Sequence, residues 1–330
     1  MHRRMIMTRA PLRITFVGGG GGTDLPFYYE NRGYGAVVSG AINKYIYITV
    51  NEKFDDKIRV SYSKTEIVDD VDFIEHPSVR EALRMLDVRK GIEVVSISDI
   101  PSRGTGLGSS STFIVGLLQA LHTFKGEMVG KEELAREAVR VEREILTEPG
   151  GKQDQYCAAY GNVNYMKFLK GGEVDVLPLV PNGDRYSRIE NSLLLLYLGN
   201  ERDSSDIHRD QINSSEGKMD VYDSMRSLTE VAVKAIQEGD IDLLGTAMHE
   251  NWILKKSLSG KITSDSIDRI YSSGLKLGAK GGKVVGAGGG GFLLLVADQE
   301  RHNAILSGLG LKRIDFRFSN IGSRVIFVGD

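Results

Sequence analysis

The run Gly104-Thr105-Gly106-Leu107-Gly108-Ser109-Ser110-Ser111 constrains this chain more than any other segment. Before it, Ile92-Glu93-Val94-Val95-Ser96-Ile97 alternates in the β-branched manner of a strand; after it, Phe113-Ile114-Val115-Gly116-Leu117-Leu118 opens a helix apolar on nearly every side. Glycines at alternate positions allow positive φ and let the backbone approach a ligand closely. The serines supply a helix N-cap and hydroxyls beside the free N–H groups and the positive end of the helix dipole. Phosphate oxygens suit that environment, and a nucleotide such as ATP is the expected ligand. Taken alone, the run also fits an ordinary strand-to-helix connection with a serine cap.

The rest of the chain narrows the choice. Its 330 residues, 41% of them hydrophobic, exceed the usual size of a single core, so two lobes are expected. A formal net charge of -2, from 42 basic and 44 acidic side chains, gives no reason to expect nucleic acid or an anionic membrane as partner; any anion site must be local. Cys157 is the single cysteine, which excludes an internal disulfide and cysteine-rich zinc sites, and it reads as buried helix packing. The basic start, Met1 to Arg9, lacks the apolar stretch of a signal peptide, and no run reaches the ~18 apolar residues of a membrane span. A cytoplasmic protein is the expectation. The 39 glycines concentrate at Gly18–Gly22, Gly104–Gly108 and Gly286–Gly291, which marks local backbone demands rather than low complexity.

Strand patterns cover Arg9–Val17, Ala36–Val50 and Ile58–Tyr62. Helical patterns cover Ser109–Phe124, Lys131–Leu146 and Gln153–Tyr160, and a hairpin at Val163–Phe168 and Glu173–Leu177 closes on Gly171-Gly172. The softest boundary, Val180-Pro181-Asn182-Gly183-Asp184, divides the chain into expected lobes 1–180 and 181–330. The second begins with the strand Ser192–Leu198, continues through four helical stretches, and is expected to finish with strands at Phe292–Val296 and Arg324–Val328. That order is α+β rather than strict βαβ alternation. Gly286-Ala287-Gly288-Gly289-Gly290-Gly291 satisfies G-x-G-x-x-G but leads into a strand, where the dinucleotide fingerprint needs a helix. The central run lacks the Gly-Lys-Ser/Thr ending of a P-loop, so a third architecture is required.

Two acids stand out. Projecting Leu134–Leu146 at ~100° per residue sets Glu142 in the apolar sector with Leu134, Ala138, Val141 and Ile145, and leaves Arg136, Glu137, Arg140, Arg143 and Glu144 on the solvated face. A carboxylate facing the interior must be paired, as with an arginine, hydrogen-bonded, or bound to a metal, because isolated burial is costly. Asp154 follows Gly150-Gly151, which permit a tight turn that aims a helix start into a cleft; Asp154 is either that helix's cap or a group of the cleft.

Ala10-Pro11-Leu12-Arg13-Ile14-Thr15-Phe16-Val17-Gly18-Gly19, the central run, and Val285-Gly286-Ala287-Gly288-Gly289-Gly290-Gly291-Phe292, in this order and spacing, resemble the three motifs of the GHMP kinases. The resemblance spans nearly the whole chain. It implies a two-lobed α+β fold, with a ribosomal S5 domain 2-like N-terminal lobe and a ferredoxin-like α/β C-terminal lobe, and an active site between them. Gly22-Thr23-Asp24-Leu25-Pro26, Ala41–Tyr47, Gly150–Tyr156 and the block from Asn251-Trp252 through Lys255 to Gly278–Lys283 are similar to the branch of the family that phosphorylates the anomeric O1 of a heptose 7-phosphate. Gly199-Asn200-Glu201-Arg202 departs from the Thr-Gly expected before the arginine region of that branch.

Carried over, the resemblance implies ATP and Mg2+ as cofactors and a sugar phosphate as substrate. Gly104 to Ser111 would bind the nucleotide. Ser110 and Glu142 would hold the metal, Asp154 would orient or deprotonate the attacking hydroxyl, and Arg13 would balance transition-state charge unless it is a solvated strand arginine. Gly19, Thr23, Asp24, Gly151, Gln153, Gly289 and Gly290 would border the acceptor. Asp24 is either a partner of sugar hydroxyls or a helix cap. Lys44, Lys152 and Arg202 are either cations for a distal phosphate or surface charge. The competing functions are a GHMP kinase for a free hexose such as fucose or galactose, and a nucleotide- or sugar-binding protein without catalysis. Oligomeric state is not legible in the sequence.

Overall fold

The structure, a computed structural model, describes residues 5–101, 104–199, 204–213 and 217–329. In its first half the chain runs through β1 (Ile6–Val17), α1 (Pro26–Arg32), β2 (Tyr34–Glu52), β3 (Ile58–Ser61), β4 (Thr65–Val68), α2 (Pro77–Met85) and β5 (Ile92–Ser98). There follow α3 (Ser109–Lys125), α4 (Lys131–Val139), a π-helical turn at Arg140–Ile145, α5 (Gln153–Tyr160), β6 (Val163–Leu169) and β7 (Val174–Pro178). The second half contains α6 (Gly183–Asn191), β8 (Leu193–Tyr197), α7 (Ser204–Asn213), α8 (Met219–Glu238), α9 (Ile241–Lys256) and α10 (Asp265–Lys276). It ends with β9 (Ala279–Val284), β10 (Phe292–Ala297), α11 (Gln299–Leu309), β11 (Lys312–Arg313) and β12 (Arg324–Val328).

Two sheets organise these elements. The first has the order β12-β1-β2-β5-β3-β4, with β6 and then β7 added beside β2. β2 is 19 residues long and serves two partners in succession: Tyr34–Gly40 pairs with β6, and Ile46–Glu52 pairs with β5. Its register against β1 shifts at Pro11/Leu12, where proline removes a ladder donor and a bulge bends the strand. The second sheet, β11-β8-β10-β9, is antiparallel throughout. Its strands β8, β9 and β10 are buried on both faces. Leu193 and Leu195 of β8 join one hydrophobic core while Leu194 and Leu196 join the other, as period-2 alternation requires. Helix α9 touches both sheets, and α8 packs on α9 and on β1 and β2 of the first sheet, so the pair binds the lobes together.

The strand Arg324–Val328 does not finish the second lobe as the sequence order suggested. It pairs with β1 in the first sheet, covering a strand edge that would otherwise be open to other chains. Strand β9 escaped the sequence reading because Ala279-Lys280-Gly281-Gly282-Lys283 carries few β-formers, although almost all of it is buried.

Candidate active site

The central glycine run makes the turn that its composition requires. Gly104, Gly106 and Gly108 have φ of 67°, 73° and 75°, and Ser109 begins α3 directly after. A cavity of about 1060 Å³ opens here, lined by Gly104–Gly106 and Gly108–Ser111. The N-terminal turn of α3 therefore faces the cavity, as an anion site needs. Leu107 is buried in the core and contributes only its carbonyl, which accepts from the Arg13 backbone N–H at 3.1 Å. The third glycine run closes the cavity from the other lobe. A Cβ on Gly106 would lie 2.4 Å from the Val285 carbonyl oxygen, and one on Gly291 2.4 Å from that of Thr105. The two runs thus meet backbone against backbone.

Glu142 is 4% exposed and lies at the cavity wall. Its carboxylate accepts from the Ser110 hydroxyl at 2.8 Å, the Ser111 hydroxyl at 2.6 Å and the Gln155 amide at 2.5 Å. Arg143 approaches it at 3.7 Å, so an arginine is nearby, but the hydroxyls and the amide carry the contact. The expected solvated position of Arg143 is corrected by the π-helical turn. That turn takes up an extra residue, so a projection at 3.6 residues per turn fails across it, and Arg143 faces the cavity beside Glu142. Ile145, assigned to the apolar side, is 41% exposed for the same reason. The Arg143 guanidinium donates to the carbonyls of Gly151 at 3.0 Å and of Glu148 and Pro149 at 3.2 Å each, which fixes the turn leading into α5.

Asp154 stands in the first turn of α5 and forms a fork with Arg13: Nε to Oδ1 and Nη2 to Oδ2, both 2.8 Å. The Arg13 side chain is 4% exposed and also donates to the Gly106 carbonyl, while that of Asp154 keeps 18% exposure toward the cavity. A solvated strand arginine is excluded. The bidentate pair sets one carboxylate against the phosphate-binding turn with charge and orientation fixed. Gly151 is required by space: a Cβ there would lie 2.0 Å from Asp24 Oδ2. Gln153 accepts from the Thr15 hydroxyl at 3.0 Å beneath Gly19.

Asp24 lines the cavity and is 1% exposed. Its Oδ1 accepts from the Gly22 backbone N–H at 3.2 Å; burial, and after it the charge of Asp154, lifts its pKa to about 6. His208 of α7 shares this end of the cavity. Its Nδ1 donates to the Gln211 side-chain amide oxygen Oε1 at 3.2 Å, and burial together with Lys255 and Arg143 pulls its pKa down to about 4, so it is neutral. Lys255 and Lys283 lie wholly buried just behind the first glycine run, and burial brings Lys283 down to about 7.

Several expected acceptor contacts sit elsewhere. Thr23 is buried with its hydroxyl donating to the Ala36 carbonyl at 2.5 Å, which pins the turn before α1 to β2. Lys152 donates to the Gly172 carbonyl at 2.9 Å and lies over the Tyr29 ring, away from the cavity. Lys44 is half-buried on β2, off the cavity wall. Gly19 lies behind that wall; Gly289 donates to the Ile262 carbonyl at 2.7 Å, and Gly290 borders the cavity. Arg202 falls outside the described residues. Sequence reasoning missed Arg143, His208, Lys255 and Lys283 as members of this neighbourhood. For Lys255 a signal existed: it follows Leu244, Met248 and Asn251 on the buried stripe of α9.

Among the described residues no three His, Cys, Asp or Glu side chains cluster as a metal site. The Ser110 hydroxyl and Glu142 carboxylate at the cavity wall offer two hard oxygens, a set that fits Mg2+ when phosphates and water complete its shell.

Two family models match the chain: the GHMP kinases N terminal domain over residues 76–162 and the GHMP kinases C terminal domain over residues 232–312. The D-glycero-α-D-manno-heptose 7-phosphate kinase of Campylobacter jejuni is 30% identical over 97% of this chain and 98% of its own length. The chain belongs to the GHMP kinase family. As a GHMP kinase it is an ATP-using phosphotransferase with an alcohol group as acceptor, and its two lobes follow the family fold. A crystal structure of a D-glycero-D-manno-heptose 1-phosphate kinase from Bacteroides thetaiotaomicron superposes with a TM-score of 0.81 at 25% identity, covering 98% of this chain and all of that one. The bifunctional fucokinase/GDP-fucose pyrophosphorylase of Arabidopsis thaliana is 26% identical over 89% of this chain, a match that takes up 30% of the larger protein. No helix among the described residues is long and apolar enough to cross a membrane.

Proposed function

We propose that this GHMP kinase is a sugar kinase that transfers the γ-phosphoryl group of ATP to the anomeric O1 hydroxyl of D-glycero-α-D-manno-heptose 7-phosphate, giving the 1,7-bisphosphate. The observation that carries the chemistry is the Arg13–Asp154 fork, set in one cavity between the phosphate-binding turn and Asp24. The sugar is supported by the likeness, over nearly its whole length, to the Campylobacter heptose 7-phosphate kinase.

In this reading the turn from Gly104 to Gly108 and the start of α3 hold the nucleotide phosphates. Asp154 accepts the hydrogen of the acceptor hydroxyl and aligns its oxygen for in-line attack, and Arg13 balances the charge that develops across the transferring group. Ser110 and Glu142 would hold magnesium, which when bound neutralises phosphate charge. Asp24 accepts hydrogen bonds from sugar hydroxyls at the far end of the cavity. Arg143 is the described cation best situated for an acidic acceptor, since it borders the cavity where Lys44 and Lys152 do not.

That same positioning of the lysines favours one second reading, a kinase for a neutral hexose. Release of ADP from Mg2+ATP is to be measured across manno-heptose 7-phosphate, mannose 6-phosphate, fucose, galactose and mevalonate, with phosphorus NMR locating the new phosphate. Selective turnover of the heptose phosphate at O1 is the expected result. Faster turnover of fucose or galactose would replace it with the second reading.

A further inference from the structure

Lys255 lies near the end of α9, and its ammonium is wholly enclosed by protein. It donates to the Gly20 carbonyl at 2.8 Å and to the Gly286 carbonyl. Gly20 belongs to the first glycine run and borders the cavity beside Asp24; Gly286 belongs to the third and also borders it. Gly286 in turn rests on Gly106, whose Cα lies 2.6 Å from where a Gly286 Cβ would be. One ammonium therefore joins the acceptor-side loop to the segment against which the phosphate-side loop packs. Lys283 of β9 adds a weaker contact to the same loop, donating to the Gly19 carbonyl at 3.4 Å.

Stability does not explain a lysine here. Burying an ammonium is costly, Lys255 makes no ion pair within salt-bridge distance among the described residues, and burial with the opposing charge of Lys283 outweighs the favourable charges of Asp24 and Asp154. A methionine would fill the same space without that cost, and exchanges of buried charge for apolar side chains are often neutral or stabilising. What methionine lacks is a group that bonds two carbonyls from two segments at once.

We propose that Lys255 is a positioning residue for phosphoryl transfer, whose ammonium holds the acceptor loop Gly18–Gly22 in register with the phosphate loop Gly104–Gly108 by way of Gly286. The inference rests on phosphoryl transfer in this cavity and not on which sugar is used, so the assay employs whichever acceptor the wild-type protein turns over fastest in the panel above. Failure of the heptose with the wild-type protein would count against the substrate alone.

The first variant is Lys255→Met, read by kcat at saturating substrates, by equilibrium ATP binding and by thermal melting. A melting temperature at or above the wild-type value, retained ATP binding and a kcat about 100-fold lower, the order that a ~1 Å misplacement costs, are expected. Wild-type kcat in the folded variant overturns the proposal, as does a loss of kcat that only parallels lost thermal stability. Should Lys255→Met fail to fold, Lys255→Ala is assayed with ethylammonium and with tetramethylammonium, which lacks N–H donors. Recovery of turnover with the first alone upholds the positioning role; an equal response to both, or none, refutes it.

Discussion

Gly106 and Gly33 both hold positive φ, of 73° and 85°, but only one of them touches another backbone. An alanine Cβ at Gly33 meets nothing within 4 Å, so Gly33→Ala carries only the cost of a backbone, at φ 85° and ψ −36°, that L side chains rarely adopt, about 1–3 kcal/mol. A melting temperature lower by about 1–5 °C follows for a protein of this size, with unaltered turnover. At Gly106 the same methyl group would lie 2.4 Å from the Val285 carbonyl oxygen, where ordinary contact begins at 3.4 Å. The facing backbone must retreat by about 1 Å, directly at the wall of the cavity, and such a displacement costs roughly 100-fold in rate. Gly106→Ala is therefore expected to match or exceed Gly33→Ala in lost stability and to lose about 100-fold in kcat besides. Thermal melts and ADP release measured side by side test this. A Gly106→Ala protein with the melting shift of Gly33→Ala and wild-type kcat would refute the reasoning that the glycine seam sets the site's geometry.

Asp154→Asn should abolish phosphoryl transfer while ATP binding, measured at equilibrium, persists; near-normal turnover would remove Asp154 from the chemistry. Glu142→Gln should raise the magnesium concentration needed for half-maximal rate, and an unchanged titration would leave Glu142 as an anchor for Ser110, Ser111 and Gln155 only. For Asp24, burial raises the pKa from 3.8 to about 6, so the folded state holds the proton more tightly than the unfolded one and stability falls as pH rises between those values. Asp24→Asn should then stabilise the protein by about 3 kcal/mol above pH 6, with the gain gone below about pH 4, at the expense of a higher acceptor KM. Denaturant melts at the two pH values check this, and an equal shift at both would contradict it.

How far the site was legible depended on whether local periodicity held. Glu142 could be found because a carboxylate on the apolar side of a 3.6-residue repeat is conspicuous. One residue later the same projection misassigned Arg143, since the π-helical turn at Arg140–Ile145 depends on hydrogen bonding that the residue pattern does not encode. Lys255 satisfies the criterion that found Glu142, a charged side chain on a buried helical stripe, whereas Lys283 sits in a strand disguised by two glycines and two lysines. The identity of β12 as a strand was readable, but its partner was not, because edge pairing with β1 is decided by which edges the rest of the fold leaves open.

The glycine runs show the deeper limit. A cluster of glycines says that side chains are excluded, and the central run was read as space kept for a ligand's phosphates. Gly108 agrees with that reading, since it borders the cavity and its φ of 75° leads into α3. Gly106 and Gly286 keep space for each other's stretch of backbone instead, and Gly291 for that of Thr105, so that the lobes close without intervening side chains. The sequence cannot distinguish these uses, because the excluded atom is the same Cβ in each. Both uses matter to the site, for a cradle assembled from two lobes holds phosphates only as steadily as the lobes hold each other. The Lys255 ammonium, bonded across that seam at Gly20 and Gly286, is where the two requirements meet.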